Sequence, residues 1–230
     1  MKRISDIILY KDHHLIIVNK PGGLPAQDDP TGDISAHRMA MAYARRDLHI
    51  VHRLDRRVSG VLVFAKTKSA AAHLSKQWEQ HTVKKTYLAL VPRADIPESG
   101  HLVHDLTYDQ KNNMTHASEE VTAEGRKAEL SYRVLQHLDH FMLLGIDLIS
   151  GRKHQIRAQL SAIGVPVRGD IKYGSKRTNP NGAIDLHAYR LVFVHPSRGS
   201  EQIATAPLPE DGLWDHVDPE VLSITFDRKK

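Results

Sequence analysis

Asp55 lies among three arginines in the sequence. They are Arg53, Arg56 and Arg57. Residues 61–65 follow as an apolar run, Val-Leu-Val-Phe-Ala, which predicts a buried strand. The carboxylate should stay ionised, because nearby guanidinium groups favour its charged form, and a loop at a strand edge can hold it rigidly while it stays exposed. The segment therefore fits either a catalytic carboxylate or an ordinary surface cluster of ion pairs.

The string around Asp55 narrows this choice. It runs His52-Arg53-Leu54-Asp55-x-x-x-Ser59-Gly60-x-Leu62-x-x-Ala65-Lys66. This string closely resembles the active-site signature of the RluA-type pseudouridine synthases. Val58 stands where the family pattern most often has Thr, a replacement that is conservative in shape and lies away from the carboxylate.

Other strings resemble the same family in the same order. Ile149-Ser150-Gly151-Arg152-Lys153-His154-Gln155-Ile156-Arg157 resembles its Thr-Gly-Arg-x-His-Gln-Ile-Arg motif, with Ser150 replacing Thr. The remaining matches are Asn19-Lys20-Pro21-x-Gly23-Leu24, Lys85-x-Tyr87 and Leu186-His187-Ala188. The resemblance covers about residues 5–215, and several ordered matches are far more specific than any one alone.

The resemblance implies an isomerase that converts uridines in structured ribosomal or transfer RNA to pseudouridine. The reaction breaks the glycosidic bond to C1′, rotates the uracil and joins C5 to C1′, without a cofactor or a metal. Asp55 would be the essential carboxylate, which either attacks C1′ or removes a ribose proton, and the sequence leaves both roles open. Arg157 would pair with Asp55 and orient it, while Tyr87 would stack on the uracil and relay the C5 proton.

Further side chains are predicted to contact the RNA or to shape the cleft. Arg53 would fill the gap left when the target base swings out, because a uridine inside a duplex cannot reach Asp55 without extrusion. The predicted hydrogen bonders around the cleft are His52, His154 and His187. The predicted phosphate contacts are Lys20, Arg56, Arg57, Arg152, Lys172 and Arg190.

Three other classes of protein are alternatives to this one: a metal enzyme, a nucleotide-dependent enzyme and a non-catalytic RNA-binding protein. The His-x-x-His pairs at 49/52, 101/104 and 137/140 have metal-ligand spacing on a helix, but they fall in predicted strands or loops and none has the His-Glu-x-x-His form. No glycine-rich nucleotide-binding fingerprint is present, which argues against a nucleotide cofactor. A non-catalytic RNA-binding or RNA-assembly protein that keeps the fold stays open as the alternative.

Composition is consistent with an RNA partner. The 230 residues carry a net charge of +5 and sixteen histidines, which favours a polyanionic partner. The absence of cysteine excludes disulfides and thiolate chemistry. The sequence shows no signal peptide and no apolar run long enough to cross a bilayer, so we expect a cytoplasmic protein without membrane contact, monomeric by default.

Strands clearly outnumber helices in the sequence pattern. Strands are expected over residues 4–10, 15–19, 61–65, 84–91, 101–107, 126–138, 141–148 and 186–194. Many neighbours are joined too closely for parallel crossovers. We therefore expect an α/β (α+β) protein with a mainly antiparallel mixed sheet and helices packed on it, in a single catalytic domain over residues 1–230 with a tail from 216 and no S4-like domain.

Helices are expected over residues 35–46, from Thr67 or Ser69 onwards, and over 153–163. The second helix should bury an apolar stripe made of Ala71, Leu74 and Trp78. The third helix should bury a stripe made of Ile156, Leu160 and Ile163. A polar face of the third helix carries His154, Arg157 and Ser161. Loops are expected over 20–33, over 109–124 as a mobile segment, and at the hairpin turn 139–140. A loop with a short helix is expected over 207–214, and residues 227–230 should be frayed.

Overall fold

The computed structural model describes residues 3–210 and 212–226. The chain divides into two compact units. Unit 1 contains the described residues of Met1–Thr86, Pro180–Ala183 and His187–Leu208, and unit 2 those of Tyr87–Asn179, Ile184–Leu186 and Pro209–Lys230. The predicted fraying of residues 227–230 lies outside the described residues.

Strands dominate the described part of the chain. In chain order they are β1 (Ile8–Lys11), β2 (Leu15–Lys20), β3 (His49–Ile50), β4 (Ser59–Ala65), β5 (Lys84–Pro92), β6 (Ser99–Asp109), β7 (Met114–Ser118), β8 (Arg126–His137), β9 (Phe141–Leu148), β10 (Leu186–Val194) and β11 (Glu201–Thr205). The α-helices are α1 (Ala36–Ala44), α2 (Lys68–Glu79), α3 (Gln155–Ala162) and α4 (Pro219–Phe226). Short 3-10 helices occupy Ile4–Ile7, Ile171–Tyr173 and Gly212–His216. No helix in the described ranges has both the length and the apolar character needed to span a bilayer.

The strand pairings confirm the predicted fold class. In unit 1 the strand order is β1-β2-β4-β10, with β3 beside β4 and β11 beside β10. These pairs are antiparallel except β4 with β10, which is parallel. In unit 2 the order is β5-β9-β8-β6-β7, and β6 pairs antiparallel with both β7 and β8, as β8 does with β9.

Some expected elements differ from the structure. The first half of the strand expected over 4–10 is a 3-10 helix, because the Asp6 carboxylate accepts the backbone N–H of Arg3 and turns the chain. The mobile loop expected over 109–124 contains β7, which pairs with β6 in a hairpin. The polar composition of residues 109–124 predicts a loop. The segment still forms a hairpin, because backbone hydrogen bonds depend little on side-chain polarity. Strand β11 was not predicted at all.

The apolar core of unit 1 lies between the sheet and α2. Leu15, Ile17, Val61 and Val63 alternate along β2 and β4 and pack against Leu74 of α2. Of the two predicted starts of helix α2, Thr67 is the N-cap, because its hydroxyl accepts the N–H of Ala70. The hydroxyl of Ser35 caps α1 in the same way by accepting the N–H of Arg38. The predicted apolar stripe of α2 is therefore part of the core.

Helix α3 in unit 2 is buried on most of its surface. Ile156 and Leu160 are buried as expected, but so are Gln155, Arg157 and Gln159. The polar side chains of this helix therefore lie inside the protein, where each needs a hydrogen-bond partner. This burial makes the helix a place where a charged group can be held in one orientation.

Candidate active site

Asp55 begins a tight turn at the start of β4. The Val58 N–H donates to the Asp55 carbonyl at 3.1 Å. Leu54 and Val58 are buried on either side, whereas Arg53 and Arg57 are exposed and Asp55 itself is half-buried. Two apolar anchors thus fix a carboxylate that still reaches the surface, which is the arrangement that a reactive side chain on a loop requires.

Lys20 ties this turn to the loop that follows β2. Its side chain is 0% exposed, and its Nζ donates to the carbonyls of Pro21 at 3.0 Å, Leu24 at 2.8 Å and Arg56 at 3.1 Å. Burial lowers the pKa of Lys20 to about 7, and the charge of Asp55 opposes that shift. The prediction that Lys20 grips a phosphate is wrong, because three carbonyls use the three donors of this buried ammonium.

Arg56 makes a second connection between the same two loops. The Gly23 N–H donates to the Arg56 carbonyl at 2.8 Å, and Arg56 Nε donates to the Gly23 carbonyl at 3.0 Å. Its guanidinium also binds Thr31 at 2.9 Å and forms an ion pair with Asp33. The expected phosphate contact of Arg56 is therefore replaced by contacts that hold the loop of residues 20–33 against the Asp55 turn.

The end of the turn is fixed by close contact between β4 and β10. Gly60 has φ +115, and a Cβ placed there would lie 2.2 Å from the carbonyl oxygen of Ala188. Beside it, Ser59 Oγ and His187 Nδ1 are 2.8 Å apart. Burial lowers the pKa of His187 to about 4, so the imidazole is neutral near pH 7. Within unit 1, His187 is a structural hydrogen bonder behind the Asp55 turn.

His52 fixes the other end of the turn. Its Nε2 accepts the N–H of Val63 at 3.0 Å, and its ring stacks on Trp78 with centroids 4.8 Å apart. Burial, with a smaller contribution from the charge of Lys85, lowers the pKa of His52 to about 3. The neutral ring therefore joins the Asp55 loop to β4 and α2, and this contact is structural.

The second motif forms the turn before α3 in unit 2. Gln155 Oε1 accepts the Ser150 hydroxyl at 2.9 Å and the Arg152 N–H at 3.0 Å, while its Nε2 donates to the Glu129 carbonyl at 3.0 Å. His154 precedes the helix with a left-handed backbone, φ 52. The Arg152 side chain is exposed, as a phosphate contact would require.

Arg157 forms a buried bidentate ion pair with Asp170. Nε lies 2.6 Å from Oδ2 and Nη2 lies 2.9 Å from Oδ1, with side-chain exposures of 6% and 0%. The Arg157 guanidinium also lies over the Tyr173 ring, with its Cζ 4.7 Å from the ring centre. Sequence reasoning missed both partners, although Gly169-Asp170 and Tyr173-Gly174 carried the signal of charged and aromatic residues held beside turn glycines.

Tyr173 connects this pair to His154. Its hydroxyl lies 2.9 Å from His154 Nδ1 and accepts the Thr115 N–H at 2.8 Å. The two rings meet edge to face, with centroids 5.7 Å apart. His154 and Arg157 are therefore held from one side by the same aromatic residue.

The predicted site residues fall into two groups. Unit 1 contains Lys20, His52, Arg53, Asp55 and His187, and unit 2 contains Tyr87, Arg152, His154 and Arg157. Tyr87 is half-buried on β5. The pairing of Asp55 with Arg157 and the stacking of Tyr87 on uracil stay predictions. Among the described residues, no group of three histidine or acidic side chains is placed to hold a metal ion.

The protein has a mainly antiparallel α/β fold, and the Asp55 turn holds a partly exposed carboxylate in a fixed position. This combination is typical of an enzyme. The chain belongs to the RNA pseudouridylate synthase family, whose model matches residues 14–162. The predicted family is thereby confirmed, and its members are isomerases.

Individual relatives agree with the family match. The chain is 36% identical over 226 residues to ribosomal large subunit pseudouridine synthase D of Nitrosomonas europaea, covering 89% of this chain and 62% of the relative. It is 33% identical to ribosomal large subunit pseudouridine synthase C of Vibrio vulnificus, covering 90% and 67%. The solved human RNA pseudouridylate synthase domain containing 1 superposes with a TM-score of 0.77 at 21% identity, covering 97% of this chain and 95% of that one, which supports the fold. The chain thus spans 62% to 67% of the length of these two bacterial relatives.

Proposed function

We propose that this protein isomerises uridines in structured RNA to pseudouridine, with Asp55 as the catalytic carboxylate. The observation that carries the proposal is the Asp55 turn. Buried Leu54 and Val58 anchor it, and the ammonium of Lys20 and the backbone of Gly23 hold the carbonyl of Arg56. A carboxylate fixed in this way can meet a ribose without reorganising first.

The chemistry assigned to Asp55 has two forms. As a nucleophile its carboxylate would attack C1′, displace the uracil and form a covalent ester that C5 of the rotated uracil then breaks. As a base it would remove a ribose proton and assist loss of the uracil. In both forms we assign Arg157 to orient the carboxylate and Tyr87 to stack on the uracil and relay the C5 proton.

The substrate we propose is ribosomal RNA, with transfer RNA as the second candidate. Two relatives named as ribosomal large subunit pseudouridine synthases support this order. Arg53 is exposed beside Asp55, as a side chain that replaces an extruded base must be. Exposed Arg57 and Arg152 supply guanidinium groups for the phosphates.

A tritium-release assay tests this function. RNA carrying tritium at uracil C5 is incubated with the wild-type protein and with Asp55→Asn, which keeps the side-chain shape and removes the charge. We expect the wild type to release label to water from ribosomal RNA and Asp55→Asn to release none while it still binds RNA. Asp47→Asn is the matched control, because Asp47 is an exposed aspartate of the same unit.

Other outcomes decide against parts of the proposal. Equal release by the wild type and Asp55→Asn would remove Asp55 from the mechanism. No release from ribosomal or transfer RNA, together with tight RNA binding, would favour the non-catalytic RNA-binding protein. Mapping the modified uridine would then define the substrate site.

A further inference from the structure

Asp170 is the most deeply buried carboxylate in contact with a predicted site residue. Its side chain is 0% exposed, and both of its oxygens bind the guanidinium of Arg157. Bidentate pairing fixes the plane of a guanidinium as well as its position. A buried charge pair of this kind is weak evidence for added stability, because desolvation offsets much of the attraction between the two charges.

The segment that carries Asp170 is itself braced against α3. The Tyr173 N–H donates to the Asp170 carbonyl at 3.0 Å, which closes the 3-10 turn. The Ser161 hydroxyl donates to the Tyr173 carbonyl at 2.7 Å, and the Tyr173 ring lies against the Arg157 guanidinium. The orientation of Asp170 is therefore set by the fold of unit 2 and needs no RNA.

We propose that Asp170 is the positioning residue for Arg157. The inference rests on the proposed function, in which Arg157 orients the Asp55 carboxylate. Asp170 engages Nε and Nη2, and a guanidinium has five N–H donors in a planar fork. Asp170 thereby fixes the edge of the guanidinium that carries Nε and Nη2. Because the guanidinium is planar, the direction of its Nη1 donors is then fixed as well. Tyr173 adds to the support, because its ring covers one face of the guanidinium with the Arg157 Cζ 4.7 Å from the ring centre.

Single-turnover tritium release and RNA affinity separate this role from a purely structural one. Asp170→Asn keeps the shape but loses the charge and one acceptor, so we expect the rate to fall about tenfold or more with RNA affinity unchanged. Asp139→Asn is the control, because Asp139 is an exposed aspartate in the β8–β9 turn of the same unit.

A double-mutant cycle gives the decisive readout. If Asp170 acts through Arg157, adding Asp170→Asn to Arg157→Lys should slow the rate by less than about twofold beyond Arg157→Lys alone. Losses that multiply would show that Asp170 affects the rate independently of Arg157 and would overturn the inference. A wild-type rate for Asp170→Asn would overturn it as well.

Asp170→Glu keeps the inference testable if Asp170→Asn does not fold. It retains the charge but moves the carboxylate by one methylene, so we expect a slower rate with a smaller fall in melting temperature than Asp170→Asn shows. A wild-type rate for this variant would contradict positioning. If the wild type is active and Asp55→Asn is not, a normal rate in the Asp170 variants removes only this inference. If the wild type releases no tritium, the proposed function and this inference both fail.

Discussion

The Nζ of Lys20 lies 3.1 Å from the carbonyl oxygen of Arg56, the residue next to Asp55. The same carbonyl accepts the N–H of Gly23 at 2.8 Å. The Arg56 carbonyl thus joins two loops, since Lys20 and Arg56 are 36 residues apart in the sequence. The buried amino group of Lys20 thus holds the proposed catalytic turn in place together with the apolar anchors Leu54 and Val58.

Replacing Lys20 by methionine should weaken this connection. The variant leaves buried carbonyls without their donor, so we expect the free energy of unfolding to fall by about 2 kcal/mol. The single-turnover rate of tritium release should fall, because the Asp55 turn loses a fixed contact, while RNA affinity stays the same. Urea unfolding and RNA titration measure these effects. Lys76→Met is the control on exposed α2 surface, and an unchanged rate in Lys20→Met would contradict the positioning role.

Gly60 should not tolerate a side chain. A Cβ there would lie 2.2 Å from the Ala188 carbonyl oxygen at a left-handed φ of +115, so Gly60→Ala should lose about 3 kcal/mol of unfolding free energy. Gly199→Ala is the matched control, because Gly199 has φ +68 with nothing within 4 Å of its added Cβ and should lose only about 1 kcal/mol. Thermal unfolding of both variants measures the difference, and equal losses would show that the β4–β10 approach is not tight.

Arg53 and Arg57 should differ in what they do for RNA. Both are exposed beside Asp55. Arg53→Ala should slow the reaction about tenfold on a uridine inside a duplex and much less on an unpaired uridine. In the duplex, the gap that the extruded base leaves in the base stack then stays empty, and extrusion becomes less favourable. Arg57→Ala should weaken binding to both RNAs and reduce the salt slope of binding by about one. The same loss for Arg53→Ala on both RNAs would contradict the stacking role.

Acid should destabilise the fold through His187. Burial lowers the pKa of His187 from 6.5 to about 4, so between these values the unfolded chain binds the extra proton and the folded chain does not. The contribution of His187 to the free energy of unfolding is therefore fully present above pH 6.5. It falls as the pH drops towards 4, by up to about 1.4 kcal/mol per pH unit.

The variant His187→Gln isolates this effect. It should flatten the pH dependence of the unfolding free energy in that window without abolishing it, because His52 shifts in the same direction and remains. Urea unfolding at several pH values gives the two slopes. A slope identical to that of the wild type would show that the imidazole of His187 takes up its proton in the folded state.

The sequence by itself determined the family and most of the elements. The strands at 141–148 and 186–194 were predicted with the bounds that the structure shows, because each is a dense apolar run ended by polar or turn residues. The starts of α1 and α2 were readable from Ser35 and Thr67, because an N-cap acts on the backbone a few residues away. Local chemistry of this kind is present in the chain before it folds.

Tertiary structure alone decided what the charged residues do. Lys20 and Arg56 were expected to meet phosphates, yet the fold buries the first and surrounds the second with loop acceptors. The local sequence marks Gly169-Asp170 as a turn but does not pair Asp170 with Arg157, since the two are 13 residues apart and meet only when the 3-10 turn packs on α3. A side chain's propensity follows from its type and its neighbours in sequence, whereas its electrostatic partner follows from where the whole chain places it.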